Sequence, residues 1–268
     1  MKKSLLAMVS AVALLLPSCG KHGGLPPGNT IDNCDIESMT FFNNSFSVND
    51  TLRFYYNPDG TPSHIDRAFV DDDSPKYLFR YDRQGRLLDY IGAFDNGAAE
   101  FWTRYFYDEA TRTVIDTMYT LVSQYQTWPP VFSGIGFADL KRYDGFGRIV
   151  FFQRTFLGQV SGVDPVNLVT TQNYVYDRRG NVDVGQYDNK INFHRTNRVW
   201  QFVDNDYSNN NPLPVQQYNG YGLPTAFNFN IPMNENGVTV FFDLNFPHFE
   251  IHYSCDAPVR AGAGGKGY

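Results

Sequence analysis

Apolar and polar residues alternate with a period of two along most of this 268-residue chain, as in Leu78-Phe79-Arg80-Tyr81 and Arg86-Leu87-Leu88-Asp89-Tyr90. That period puts successive side chains on opposite faces of a pleated backbone and predicts half-buried β-strands. One stretch departs from it. Leu5 to Leu16 is an apolar run broken only by Ser10, shorter than the roughly 20 residues that span a bilayer.

The alternation stops at a recurring five-residue signature: a Tyr, then Asp or Asn, and three residues later a Gly. It occurs as Tyr56-Asn57-Pro58-Asp59-Gly60, Tyr81-Asp82-Arg83-Gln84-Gly85, Tyr143-Asp144-Gly145-Phe146-Gly147, Tyr176-Asp177-Arg178-Arg179-Gly180 and Tyr218-Asn219-Gly220-Tyr221-Gly222, with a degenerate copy at Tyr107-Asp108. Asp or Asn suits the first position of a type I turn, where its side chain accepts from the backbone two residues on. The Gly then closes a hairpin with a bulge, in the left-handed conformation. Pro58 fits the phase, because proline is favoured at the second turn position and excluded from the flanking strands. Each repeat therefore reads as a β-hairpin.

Turn positions 57, 82, 108, 144, 177 and 219 drift in spacing from about 25 to about 42 residues, too irregular for a strict solenoid. The expected fold is all-β, an antiparallel meander of hairpins forming a curled sheet, a sandwich or an open barrel. A single flat sheet of that many strands would leave one apolar face wet. Composition agrees. Aromatics reach 16%, with abundant Asn, Asp, Gly and Tyr and few good helix formers. The formal charge of −6, with scattered basic residues, argues against nucleic acid as a partner.

The chain's beginning changes the picture. Lys2 and Lys3 ahead of the Leu5 to Leu16 run form the charged and apolar regions of a signal peptide. Leu16-Pro17-Ser18-Cys19-Gly20 then resembles a bacterial lipobox, with Pro17 an unusual residue for its place; the alternative is an ordinary secreted product. In such a box the cysteine carries the acyl chains, and several chains on one residue give stable anchoring without a transmembrane helix. The expected organisation is a signal peptide at 1–18, a flexible Gly/Pro tether at 19–31, one β domain at 32–256 and a Gly-rich, disordered tail at 257–268. Cys19 would thus place the protein in the cell envelope. Gly20 is not the Asp that resembles an inner-membrane retention signal, which favours the outer membrane. Gly20-Lys21-His22-Gly23-Gly24 lacks acidic residues, which leaves its periplasmic and surface faces equally open.

On these residues the chain resembles the YD-repeat proteins, the Tyr-Asp repeats of Rhs-type shells and of uncharacterised lipoproteins of Bacteroidota. The likeness covers about half of the mature chain. Asn197-Arg198-Val199-Trp200-Gln201-Phe202, with Asp206-Tyr207-Ser208-Asn209-Asn210-Asn211 and the last signature, looks like the C-terminal part of such lipoproteins. The resemblance implies no agreed activity, and the irregular spacing departs from the Rhs pattern of a large hollow shell.

With Cys19 assigned to lipid, Cys34 and Cys255 remain, in an oxidising compartment. A bridge would tie the two ends of the domain together; the alternative is two buried free thiols. Catalytic signatures are missing: no Gly-x-Ser-x-Gly, His-Glu-x-x-His, Cys-x-x-Cys or dinucleotide fingerprint occurs. The tail Gly262-Ala263-Gly264-Gly265-Lys266-Gly267 mimics a phosphate loop but has Gly267 where Ser or Thr belongs.

Two groups in the sequence have metal-like donors. His248, Glu250 and His252 share one strand face, where same-face neighbours stand roughly 7 Å apart, so a shared ion needs a bulge or a further ligand. Asp204, Asp206 and Ser208 present hard oxygens at alternating positions, as calcium loops do, but lack the sharp-turn Gly and the distal Glu. Trp102, Trp128 and Trp200 fit a β core or a sugar-stacking surface; Trp128-Pro129-Pro130 stands out because it falls in a long insertion between repeats. The sequence thus suggests a non-enzymatic envelope module that binds a glycan, a peptide or another envelope protein. The alternative is a glycan-active hydrolase with carboxylates converging from separate strands.

Overall fold

A computed structural model describes residues 34–43, 48–68, 75–134, 136–157, 169–183, 185–212, 215–228 and 248–256. The segments read as signal peptide (1–18), tether (19–31, with Cys19) and tail (257–268) lie outside these. The strands are β1 (Ile36–Asn43), β2 (Val48–Tyr56), β3 (Pro62–Arg67), β4 (Lys76–Tyr81), β5 (Leu87–Ala93), β6 (Ala99–Asp108), β7 (Thr113–Gln124) and β8 (Val131–Phe132). They continue as β9 (Gly136–Tyr143), β10 (Ile149–Phe156), β11 (Val169–Asn173), β12 (Tyr187–Ile191), β13 (Asn210–Pro212), β14 (Val215–Tyr218), β15 (Pro224–Asn228) and β16 (His248–Tyr253).

The expected all-β meander is what forms. Fourteen strands make one antiparallel sheet in the order β11-β10-β9-β7-β6-β5-β4-β3-β2-β1-β16-β15-β14, with β8 paired to β7. The sheet is open, and β12 and β13 pair separately. The first strand lies beside the last, with Met39 opposite Ile251 and Phe41 opposite Phe249. At the end of this pairing Cys34 and Cys255 form a disulfide, with Cα atoms 4.9 Å apart across 221 residues of sequence.

The signature turns join β2 to β3, β4 to β5, β9 to β10 and β14 to β15, so the antiparallel order collects them along one rim of the sheet. The Asp177–Gly180 turn follows β11 on the same rim, next to the Asp144–Gly147 turn, with Tyr174 N donating to Val150 O. Each turn is built as the spacing predicts. Asp82, Asp144, Asp177 and Asn219 accept through Oδ1 from the amides two and four residues on. Asn57 varies the theme: Asp59 Oδ1 accepts from Thr61 N, and Asn57 Nδ2 donates to Thr61 Oγ1. Gly60, Gly85, Gly147, Gly180 and Gly222 have φ of 77° to 83°, where a Cβ would be strained.

Five tyrosines at this rim, Tyr253 and the signature residues Tyr56, Tyr81, Tyr107 and Tyr176, have a separate task. Tyr81, Tyr107, Tyr176 and Tyr253 donate their hydroxyls to the carbonyls of Pro62, Leu87, Ile149 and Pro224, and Tyr56 donates to that of Ile36. Pro62, Leu87, Ile149 and Pro224 each stand two residues past a signature Gly. Each phenol thus fastens its strand to the start of the neighbouring hairpin arm. Burial pushes these phenols far above the usual tyrosine range, so they stay protonated donors. Arginines add a second link. Arg86 pairs with Asp82 at 2.7 Å and stacks 4.5 Å over Tyr107, and Arg148 pairs with Asp144 at 2.8 Å and stacks 4.1 Å over Tyr176.

A wet inner face is avoided by a helix absent from the sequence-based reading. A 3-10 turn, Phe193–Thr196, and the helix α1, Arg198–Asp204, pack on the face that carries the signature tyrosines. Asn192 and Asn197 cap the two segments by accepting from His194 N and Val199 N, and Asn205 ends α1 in the left-handed conformation. Trp200 meets Phe54, Tyr56 and Phe79 edge-on, while Phe202 meets Tyr105, Tyr107 and Tyr143. The plug thereby contacts β2, β4, β6 and β9. Among the described residues no helix is long and apolar enough to cross a membrane.

Candidate functional site

Three groups of side chains are organised enough to be weighed as sites. The first surrounds His194, buried beneath α1. Its Nε2 lies 2.8 Å from Asp204 Oδ2 and its Nδ1 3.1 Å from Asp206 Oδ2, and Asn192 Nδ2 donates to that same Asp206 oxygen. Burial alone would push the imidazole down, but hydrogen bonds to Asp204 and Asp206 outweigh it and hold the pKa up at about 9. His194 is an imidazolium clamped between two carboxylates, joining the 3-10 turn ahead of α1 to the helix's last residue and the segment after it. Its contribution to stability is full below the unfolded value of 6.5 and is lost as pH rises through about 9. We expect that loss to reach about 3 kcal/mol in urea unfolding across this window, and His194→Gln to flatten it.

The second group is a row of charges on the inner face. Asp116 on β7 stands opposite Asp139 on β9, and Asp139 opposite Arg154 on β10. Lys141 Nζ is 3.1 Å from Asp116 Oδ2, and Arg154 grips Asp139 with two bonds of 2.9 and 2.7 Å. Lys141 also lies 5.4 Å above the rings of both Tyr105 and Phe202. Burial raises the Asp116 carboxyl, aided by the charge of Asp139, while Lys141 and Arg154 oppose the rise. Carboxylates from separate strands do converge here, but the Asp116 and Asp139 side chains are 2% and 4% exposed and each holds its own cation. As arranged, the row is a packed charge lattice.

The third group stands on the opposite face and rim. Trp102, Ile91, Ala93, Ala99 and Val122 make a small second core on the outer face. Trp102 Nε1 donates to Asp89 at 2.8 Å, and Arg80 lies over the rings of Trp102 and Tyr125. Against this core the connection from β7 to β8 folds back, carrying Trp128 with a cis bond to Pro129. Trp128 meets Trp102 at 5.3 Å and Tyr119 at 6.0 Å, both edge-on, and the Arg104 guanidinium stacks 4.4 Å over its ring. Despite these contacts Trp128 is 42% exposed, beside exposed Leu121, Val131 and Phe132 on the same hairpin.

The residues singled out from the sequence fall as follows. Trp102 and Trp200 are core, and Trp128 is the surface tryptophan. β16 alternates without a break: His248, Glu250 and His252 face solvent, while Phe249, Ile251 and Tyr253 are buried. His248 Nε2 is 3.7 Å from Glu250. Asp204 and Asp206 turn toward His194, and the second Asp206 oxygen accepts from Ser208 N. Among the described residues no three His, Cys, Asp or Glu side chains converge as a metal site. The all-β expectation assigned no helix to Asn197–Phe202, and the capping asparagines Asn192 and Asn197 were the signal that could have marked α1. No protein-family model matches the chain, and no curated protein is significantly similar to it.

Proposed function

We propose that this chain is a lipid-anchored protein of the cell envelope, akin to the YD-repeat lipoproteins it resembles, that binds an envelope protein through its β7–β8 hairpin. Anchoring through Cys19 in the outer membrane is part of this reading. The observation that carries it is Trp128, exposed yet held in place by Trp102, Tyr119 and Arg104. Rigid exposed Trp, with Tyr and Arg around it, is the composition of protein-binding hot spots, because little entropy is lost when such a side chain is covered. Phe132, 41% exposed and 4.6 Å from Tyr119, widens the apolar area beside Trp128, which suits a protein surface better than a sugar.

A photoreactive amino acid placed at Val131 in the intact chain is expected to crosslink to one discrete envelope protein in cells. Trp128→Ala should weaken binding of that partner by about 30-fold or more, as loss of a hot-spot residue does. Equal crosslinking from position 131 and from Thr171 on β11 would discard the hairpin as the contact. The hydrolase reading has Asp116 and Asp139 in its favour, but a substrate would first have to displace Arg154 and Lys141.

A further inference from the structure

The large sheet is open and ends in two edge strands, β14 and β11, whose chemistry differs. β14 is attended by β12: the Tyr218 hydroxyl donates to Asp188, and Lys190 Nζ lies 5.9 Å over the Tyr218 ring. A lysine beside an edge is one of the ordinary guards against pairing with another chain. β11, at the other end, reads Val169-Thr170-Thr171-Gln172-Asn173 and is exposed at every residue. It carries no charge, no Gly and no Pro, and its Val and Thr residues favour the extended state.

The direction of its backbone groups follows from two bonds just past its end. Tyr174 N donates to Val150 O on β10, so the backbone of Tyr174 points into the sheet. Val175 points the other way, and its carbonyl accepts from Asp183 N. Alternation along the extended chain turns Gln172 and Thr170 toward β10, opposite Phe152 and Arg154. Val169, Thr171 and Asn173 therefore turn their N–H and C=O groups outward, and among the described residues nothing bonds these groups. The Asp183 contact closes the open stretch at its turn-rim end.

We propose that β11 pairs with β11 of a second copy of this chain, antiparallel about a two-fold axis through Thr171, so that the two sheets join into one. Thr171 would face its own copy and Val169 would face Asn173, each pair exchanging two backbone bonds. Thr170 would face Gln172 on the inner side. This register uses every outward group of the strand. Moving the axis to Gln172 would set Val169 against Val175, whose carbonyl Asp183 already holds.

The lack of charge selects a second copy as the occupant. A residue on the axis meets itself, so a charge there would repel its twin, whereas Thr opposite Thr is a favourable cross-strand pair. A foreign strand is chosen by charges or pockets that match its side chains, and β11 has no charge to choose with. The pairing is short, so the dimer is a reversible one that grows with concentration. It does not depend on the lipid anchor.

Sedimentation of the full chain in a non-ionic detergent should show this dimer. In the proposed register the two copies of residue 171 stand about 5.5 Å apart and those of residue 169 roughly 14 Å. A short bismaleimide should therefore link Thr171→Cys to its copy and fail to link Val169→Cys to its own, while Val169→Cys mixed with Asn173→Cys should link. The product has twice the mass of the chain, so it is not confused with a partner captured by the hairpin. Thr171→Pro spares the sheet, because the Thr171 N–H points away from β10, yet it deletes the bonds at the axis. It should weaken self-association by about tenfold or more with the unfolding midpoint unchanged. Thr171→Lys should do the same by setting two charges opposite each other.

A chain that stays monomeric at every concentration would overturn the proposal, as would a dimer that both substitutions leave intact. A photoreactive residue at 171 that captures a different protein and never a second copy would give the edge to a foreign strand instead.

Discussion

Trp200→Ala is expected to cost about 3 to 5 kcal/mol, the range for emptying a fully buried tryptophan site. Trp200 is 0% exposed and bridges β2 and β4 through Phe54, Tyr56 and Phe79. A seven-residue helix does not persist by itself, because nucleation is not repaid over so few bonds. Its stability therefore comes from the rings it meets on the sheet. Loss of the indole leaves Phe202 as the remaining large anchor of α1, with Tyr105, Tyr107 and Tyr143 as its partners. Urea unfolding should show a lower midpoint for Trp200→Ala. Trp200→Phe should recover a large part of the loss by refilling most of the cavity. An alanine variant as stable as the native chain would show that the plug is dispensable.

Removing the Cys34–Cys255 bridge is expected to have an effect of similar size or larger. Closing 221 residues into a loop lowers the entropy of the unfolded chain by an amount worth about 5 kcal/mol in the chain-entropy treatment. The bridge also has a position that magnifies its role. It sits where β1 meets β16, so it ties together the two strands that close the sequence upon itself. Without it, the β14–β16 segment is held to the meander by the β1–β16 ladder and by its contacts with the plug, such as Phe193 against Phe227 at 5.5 Å. Cys34→Ser with Cys255→Ser, or reduction of the native chain, should lower the unfolding midpoint to the same degree. Intact mass under non-reducing conditions should show that Cys34 and Cys255 do not take up an alkylating agent.

The two halves of the molecule divide labour along the strand direction. Signature turns, tyrosine hydroxyls and stacked arginines link each hairpin to the next on one rim, and α1 closes the inner face near it. The other rim carries longer connections, among them the β7–β8 hairpin that presents Trp128. Rigidity at one end and variable loops at the other is the arrangement in which binding residues are displayed on a fixed scaffold. The buried row of Asp116, Asp139, Lys141 and Arg154 fits this scaffold role, since each charge is paired with an opposite charge on a neighbouring strand.

The all-β class and the hairpins were legible in the sequence because both rest on local physics. Period-two alternation marks a strand without reference to any partner, as β16 shows residue by residue. Asp82 and Gly85 define their turn within five residues, so Gly φ values near 80° at the signature positions could be anticipated from spacing alone. A small even count of cysteines left a Cys34–Cys255 bridge and two buried thiols as the readings, and the structure has the bridge. A further turn, Phe94-Asp95-Asn96-Gly97, with Gly97 at φ 89°, closes the same way but was hidden because Phe94 stands in place of the Asp or Asn and Ala93 in place of the Tyr; Asn96 Oδ1 accepts from Ala98 N instead.

Tertiary structure alone decided the rest. Helix α1 is too short for its apolar residues to declare a 3.6-residue period, and its asparagine caps read as loop until Phe54, Phe79 and Tyr105 supply the surface that holds it. His194 gained its role from Asp204 and Asp206, ten and twelve residues away, which the chain brings to its two ring nitrogens by folding α1 between them. Trp102 and Trp128 have the same chemistry in sequence; sheet register buries one beneath the other and leaves Trp128 at the surface. Burial, ion pairing and exposure are sums over neighbours distant in sequence, whereas strands and turns are set by neighbours within a few residues.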